Sequence, residues 1–164
     1  MIPTTVTRVV VAEEIPAVLA WAARRPGWAV EFDDAALRLN VKTVHPACGM
    51  ALHVQADLQG YRAVPPAWRF LRLALDGRET VTDPFPRAGA HPWIQGSIFH
   101  GNRVICAPWN RLAYVENGDK GMHGDWGGLT NWTNAAPGYT KADTLADMLD
   151  QIYQHLSASP GMDP

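Results

Sequence analysis

The chain has 164 residues, 47% of them apolar and 18% charged, with a net charge of −2 at pH 7. That length suits one packed domain, the composition is that of a folded globule rather than a disordered segment, and the charge balance argues against a nucleic-acid footprint of clustered Lys and Arg. Two cysteines, Cys48 and Cys106, cannot build the disulfide framework of a small secreted domain. With no leader-like segment and no apolar run of membrane-spanning length, the expectation is a cytoplasmic protein that binds neither membrane nor nucleic acid.

In chain order, the first predicted element is a helix over 12–25. Ile15, Val18, Leu19 and Ala22 share one face, Glu13 and Glu14 favour the positive N-terminal end, and Pro16 is placed in the first turn. Pro26-Gly27 stops it. Trp28, Val30 and Phe32 then alternate with small or polar neighbours, an Asp33-Asp34 turn follows, and Leu37, Leu39 and Val41 alternate with Arg38, Asn40 and Lys42. After a turn at His45-Pro46-Ala47-Cys48-Gly49, Met50, Leu52 and Val54 form a third strand, with Ala51, His53 and Gln55 facing solvent. Pro65-Pro66 introduces a fourth strand over 68–73.

The proline-rich stretch 83–92 and the glycine-rich stretch 118–128 read as loops. The last predicted element is a helix over 144–156, with Leu145, Met148, Leu149, Ile152 and Leu156 on one face and a capping-box spacing at Thr140 and Asp143. The expected fold class is α+β in one domain, 1–164: an N-terminal helix, a four-stranded antiparallel meander, a cysteine loop and a C-terminal helix.

Within Ser97 to Trp109 an apolar run delivers Cys106 next to a His100-Gly101-Asn102 turn. A cysteine ending such a run, with a proline two positions on, can be held partly exposed on an anchored backbone, which favours a nucleophile. The bland alternative is a buried small hydrophobe. Cys48, in a turn, is expected to be structural.

Tyr61, Pro65, Pro66 and Phe70, then His100-Gly101-Asn102, Ile105-Cys106, Trp132, the helical run 144–156 and the closing Pro160-Gly161-Met162-Asp163-Pro164 together resemble the ubiquitin-conjugating enzyme family. In that family a tyrosine-proline turn leads to a double proline, a strand with an aromatic, a His-Pro-Asn turn and Ile-Cys. Arg62 replaces the proline after the tyrosine, Gly101 replaces the proline of His-Pro-Asn, and that turn sits closer to the cysteine. Residues 76–96 and 110–134 look like insertions, as in a divergent bacterial branch. The chain closes about where the family's two extra C-terminal helices would start.

The resemblance implies a transferase in which Cys106 carries a ubiquitin-like protein as a thioester. An adenylating activating enzyme supplies it, and an amine on a protein target accepts it. It implies further that Asn102 serves the oxyanion or orders the loop, that His100 braces the turn, that Asp163 orients or deprotonates the attacking lysine, and that the setting is antiphage defence. His123 and Asp125, in the insertion, have the chemistry to activate thiol or amine. His100, Cys106, His123 and Asp125 match no zinc spacing, so neither metal nor cofactor is expected. The alternatives are a catalytically silent binding module of the same fold and, behind it, a small Cys/His hydrolase or zinc protein.

Overall fold

The computed structural model describes residues 4–73, 79–81, 85–90, 96–115, 126–135 and 140–163. The chain opens with α1 (Thr4–Ala23), which starts eight residues earlier than the periodicity predicts. Thr7, Val11, Val18 and Trp21 form its buried face, yet Val6, Val9 and Leu19 on the other side are exposed. With apolar residues all round, the first turns give no one-sided pattern to read. Pro16 therefore lies in the helix interior, where it removes one N–H and costs about 3 kcal/mol. Packing of Val11, Val18 and Trp21 into the core carries the helix past it. Gly27, at φ 88°, turns the chain out.

Four strands follow as an antiparallel meander: β1 (Ala29–Asp33), β2 (Arg38–Val44), β3 (Ala51–Asp57) and β4 (Ala67–Leu73). A three-residue fifth strand, β5 (Glu79–Val81), extends the expected four by pairing with Leu71 to Leu73. The register aligns Val30, Val41, Val54 and Phe70 in one row and Phe32, Leu39, Ala56 and Trp68 in the next. These rows make the inner face of the sheet. On the outer face His53 and Gln55 are buried rather than solvated, and both bond the side-chain oxygen of Asn40, at 3.0 and 2.9 Å. As the central strand, β3 is covered on both sides, and strand alternation alone cannot distinguish a solvated polar face from a satisfied buried one.

The inner rows are closed by α3 (Leu145–Ala158), whose Leu145, Met148, Leu149, Ile152 and Leu156 are buried. Thr144 caps it, accepting from the Asp147 N–H at 3.2 Å, so the N-terminal signal lies four residues beyond the predicted one. The Trp68 indole donates to the Met148 sulfur at 3.3 Å, pinning helix to sheet. Asp150 ties α3 to α1 through the Trp21 indole at 3.0 Å and Arg25 at 2.6 Å, with Arg25 stacked over Trp21 and Tyr153.

The proline-rich stretch is not wholly irregular. β6 (Phe85–Pro86) pairs with β7 (Met162–Asp163), and a Cβ on Gly89 would sit 1.9 Å from the Ala158 carbonyl oxygen, so only glycine lets this segment cross the end of α3. Short helices, α2 (Leu112–Val115) and a 3-10 turn (Leu129–Asn134), bridge to α3. Among the described residues no helix is long and apolar enough to cross a membrane.

Candidate functional site

Cys106 ends a minimal hairpin. Phe99 and Ile105 form a single antiparallel bridge, the Arg103 N–H donates to the His100 carbonyl at 2.9 Å, and the Cys106 N–H donates to the Ile98 carbonyl at 2.7 Å. The base of the hairpin is core: Phe99 stacks edge-on against Phe70, Phe85 and His155. Its tip, at Gly101, Asn102 and Arg103, is exposed.

The thiol is more enclosed than the sequence reading expects. Cys106 is 8% exposed, in a run from Val104 to Asn110 that is buried throughout, and Cys48, expected to be structural, is the exposed cysteine. Flanking residues decide both cases. Val104, Ile105, Ala107 and Trp109 draw Cys106 inward, whereas Pro46, Ala47 and Gly49 leave Cys48 at the surface. Burial pushes the Cys106 thiol up to about 11, so at neutral pH it stays protonated.

Asn110 holds this segment against the sheet, and sequence reasoning missed it. Fully buried, its Oδ1 accepts from the Trp68 N–H at 2.9 Å and the Leu112 N–H at 3.3 Å, while its Nδ2 donates to the Ile105 carbonyl at 2.8 Å. The Arg111 N–H donates to the Pro66 carbonyl at 2.9 Å. The cysteine segment therefore docks where Pro65-Pro66 lead into β4. The only sequence signal was an asparagine four residues after the cysteine in an apolar run, a place where a polar side chain needs partners.

The Tyr61 turn lies on the other side of that double proline. Tyr61 is buried, and its hydroxyl donates to both oxygens of the Glu14 carboxylate at 2.9 and 3.0 Å. Burial first, then Glu14, pushes the phenol well above its ordinary value. Glu14 also accepts from the Leu145 N–H at 2.8 Å, so one carboxylate joins α1, the turn and the start of α3. The Tyr61–Arg62 peptide is cis, and the Trp132 indole donates to the Arg62 carbonyl at 2.9 Å.

Of the remaining expected site residues, His100 bonds the Ser97 carbonyl through Nε2 at 3.1 Å, a contact that braces its own turn. Asn102 stands at the exposed hairpin tip. Asp163, in β7, pairs with Phe85, whose ring touches Phe99, and its carboxylate lies 4.0 Å from Arg87. His123 and Asp125 lie outside the described residues. Among the described residues no three His, Cys, Asp or Glu side chains gather where they could hold a metal ion.

A second polar pair, His45 and Ser159, has the residue types of a hydrolytic dyad but the wrong direction of donation. His45 Nδ1 accepts from the Ala47 N–H at 3.1 Å, so the ring proton is on Nε2, which faces Ser159 Oγ at 2.9 Å. Ser159 in turn donates to the Gly161 carbonyl at 2.9 Å. No base is free to take the serine proton, and the pair serves as a strap between the β2–β3 turn and the C-terminal segment.

No family model, curated protein or solved structure matches the chain.

Proposed function

We propose that the chain is a ubiquitin-conjugating-like transferase that carries a ubiquitin-like protein as a thioester on Cys106 and passes it to an amine. The observation that carries this reading is the docking of the Cys106 segment on the double-proline start of β4, through Arg111 to Pro66 and Asn110 to Trp68. It joins in space the two motifs whose order in the sequence resembles that family. The α+β layout of N-terminal helix, antiparallel meander and C-terminal helix agrees with it.

The experiment is incubation with an activating enzyme, ATP and a ubiquitin-like protein. A reducing-agent-labile adduct is expected, absent from Cys106→Ala. In Cys106→Ser the adduct is absent or is replaced by a reductant-resistant oxygen ester. An adduct that persists unchanged in Cys106→Ala overturns the reading.

The burial of Cys106 favours one second reading, a catalytically silent module of the same fold that binds a ubiquitin-like protein without bonding to it. In that case complex formation survives Cys106→Ala and no covalent adduct forms with the unsubstituted chain.

A further inference from the structure

We propose that Asn110 is the positioning residue of the Cys106 site, its carboxamide fixing the plane of the Ile105–Cys106 peptide against the edge of β4 and so the direction in which the thiol leaves the backbone. The inference rests on Cys106 being the reacting thiol. β5 pairs only with Leu71 to Leu73, so among the described residues no strand lies on that side of the start of β4, from Pro66 to Trp68. The chain beyond the cysteine takes that place, with the Arg111 N–H on the Pro66 carbonyl and Asn110 Oδ1 on the Trp68 N–H. The same carboxamide reaches back through Nδ2 to the Ile105 carbonyl. With the Cys106 N–H given to Ile98, both polar atoms of the peptide that carries the nucleophile are held.

Asparagine alone answers this geometry. Its oxygen accepts from two N–H groups while its nitrogen donates to one carbonyl, all from a side chain two carbons long. Aspartate keeps the shape and the acceptors but, ionised, has no proton for the Ile105 carbonyl. Protonated, it regains a donor. The neighbouring Arg111 guanidinium is committed to the Gln59 carbonyl at 2.8 Å and to Asp57 at 3.8 Å, so it is held away from a new carboxylate. A residue that only supported the fold would loosen the whole molecule, whereas a positioning residue loosens one peptide, reversibly with pH.

The test follows amide exchange by nuclear magnetic resonance, with rates corrected for intrinsic pH dependence, in the full chain and in Asn110→Asp, alongside thioester loading. At pH 7.5 the variant is expected to lose at least tenfold protection at the Cys106 amide, with losses confined to 98–106, and to load at least tenfold more slowly. Acidification below the new carboxyl's own pKa should restore that protection to within about twofold of the parent. Unchanged protection, a loss that spreads through α3 and the sheet, a defect that acid does not reverse, or full-rate loading despite a loosened peptide each overturns the proposal. Should Asn110→Asp not fold, the parent decides. The Asn110 side-chain amide proton must exchange at the Cys106 amide's protected rate, and exchange at the free-amide rate overturns the proposal. If the unsubstituted chain takes no ubiquitin-like protein, the thiol reading itself fails, an outcome separate from the exchange result.

Discussion

The two cysteines sit in two turns built in opposite ways. Around Cys48 the tip residues Pro46 to Gly49 are exposed, and the turn is strapped from beneath by buried His45 and its bond to Ser159. Around Cys106 the tip is exposed but the cysteine lies at the base, where Phe99 and Ile105 belong to the core and Asn110 grips the preceding carbonyl. The accessible thiol thus stands on a turn with no chemistry around it, and the enclosed thiol stands where the backbone is held. Exposure and a fixed backbone therefore fall to different cysteines.

The largest expected effect separates the turns by stability. Phe99→Ala removes a ring packed on Phe70, Phe85 and His155 and should lower unfolding free energy by about 3–5 kcal/mol in urea titrations. Cys48→Ser, on the surface, should change it by less than about 0.5 kcal/mol. Equal responses would erase the contrast between the two turns.

Next comes reactivity. With its thiol at about 11, Cys106 at pH 7.5 has roughly 300-fold less thiolate than an unfolded-chain cysteine, of which greater nucleophilicity recovers about tenfold. Iodoacetamide should therefore label Cys106 about 30-fold more slowly in the folded chain than in urea. The folded rate should climb tenfold per pH unit until about pH 11, whereas a plateau near pH 8.5 would contradict the enclosed environment.

The strap beneath Cys48 gives a smaller effect. Ser159→Ala leaves the His45 Nε2 proton without its oxygen and should cost about 1–2 kcal/mol. Burial, then Arg87, lowers the His45 pKa below its ordinary 6.5, so the unfolded chain takes up a proton there that the folded chain resists. The stabilising contribution is complete above about pH 6.5 and is lost as pH falls through the folded value. Urea midpoints should drop between pH 7.5 and pH 5, and drop less in His45→Gln.

Smallest is Thr144→Ala, which removes the α3 cap and should cost about 1 kcal/mol without changing the labelling of either cysteine.

Legibility in the sequence followed periodicity. α3 and the four-strand meander were readable because Leu145, Met148, Leu149, Ile152 and Leu156 repeat on one helical face, and because the residues flanking the Asp33-Asp34 turn alternate. The start of α1 was not, because Val6 and Val9 are exposed while Val11 is buried, so hydropathy carried no sidedness. The cap of α3 was misplaced because Thr140 and Thr144 offer the same spacing, and only the fold selects Thr144. The enclosure of Cys106 follows from its apolar flanks Val104, Ile105, Ala107 and Trp109, whereas the grip of Asn110 and the pairing of Asp163 with Phe85 arise from contacts between distant segments, which no local pattern encodes.

The most direct measurement blocks the thiols in turn before loading. Brief iodoacetamide treatment at pH 7.5 should cap exposed Cys48 and leave Cys106 intact, and the adduct with the ubiquitin-like protein should then form at full yield and map to Cys106. Treatment of both cysteines in urea, followed by refolding, should abolish it. Loss of the adduct on capping Cys48 alone, or its survival with both thiols capped, would contradict the account.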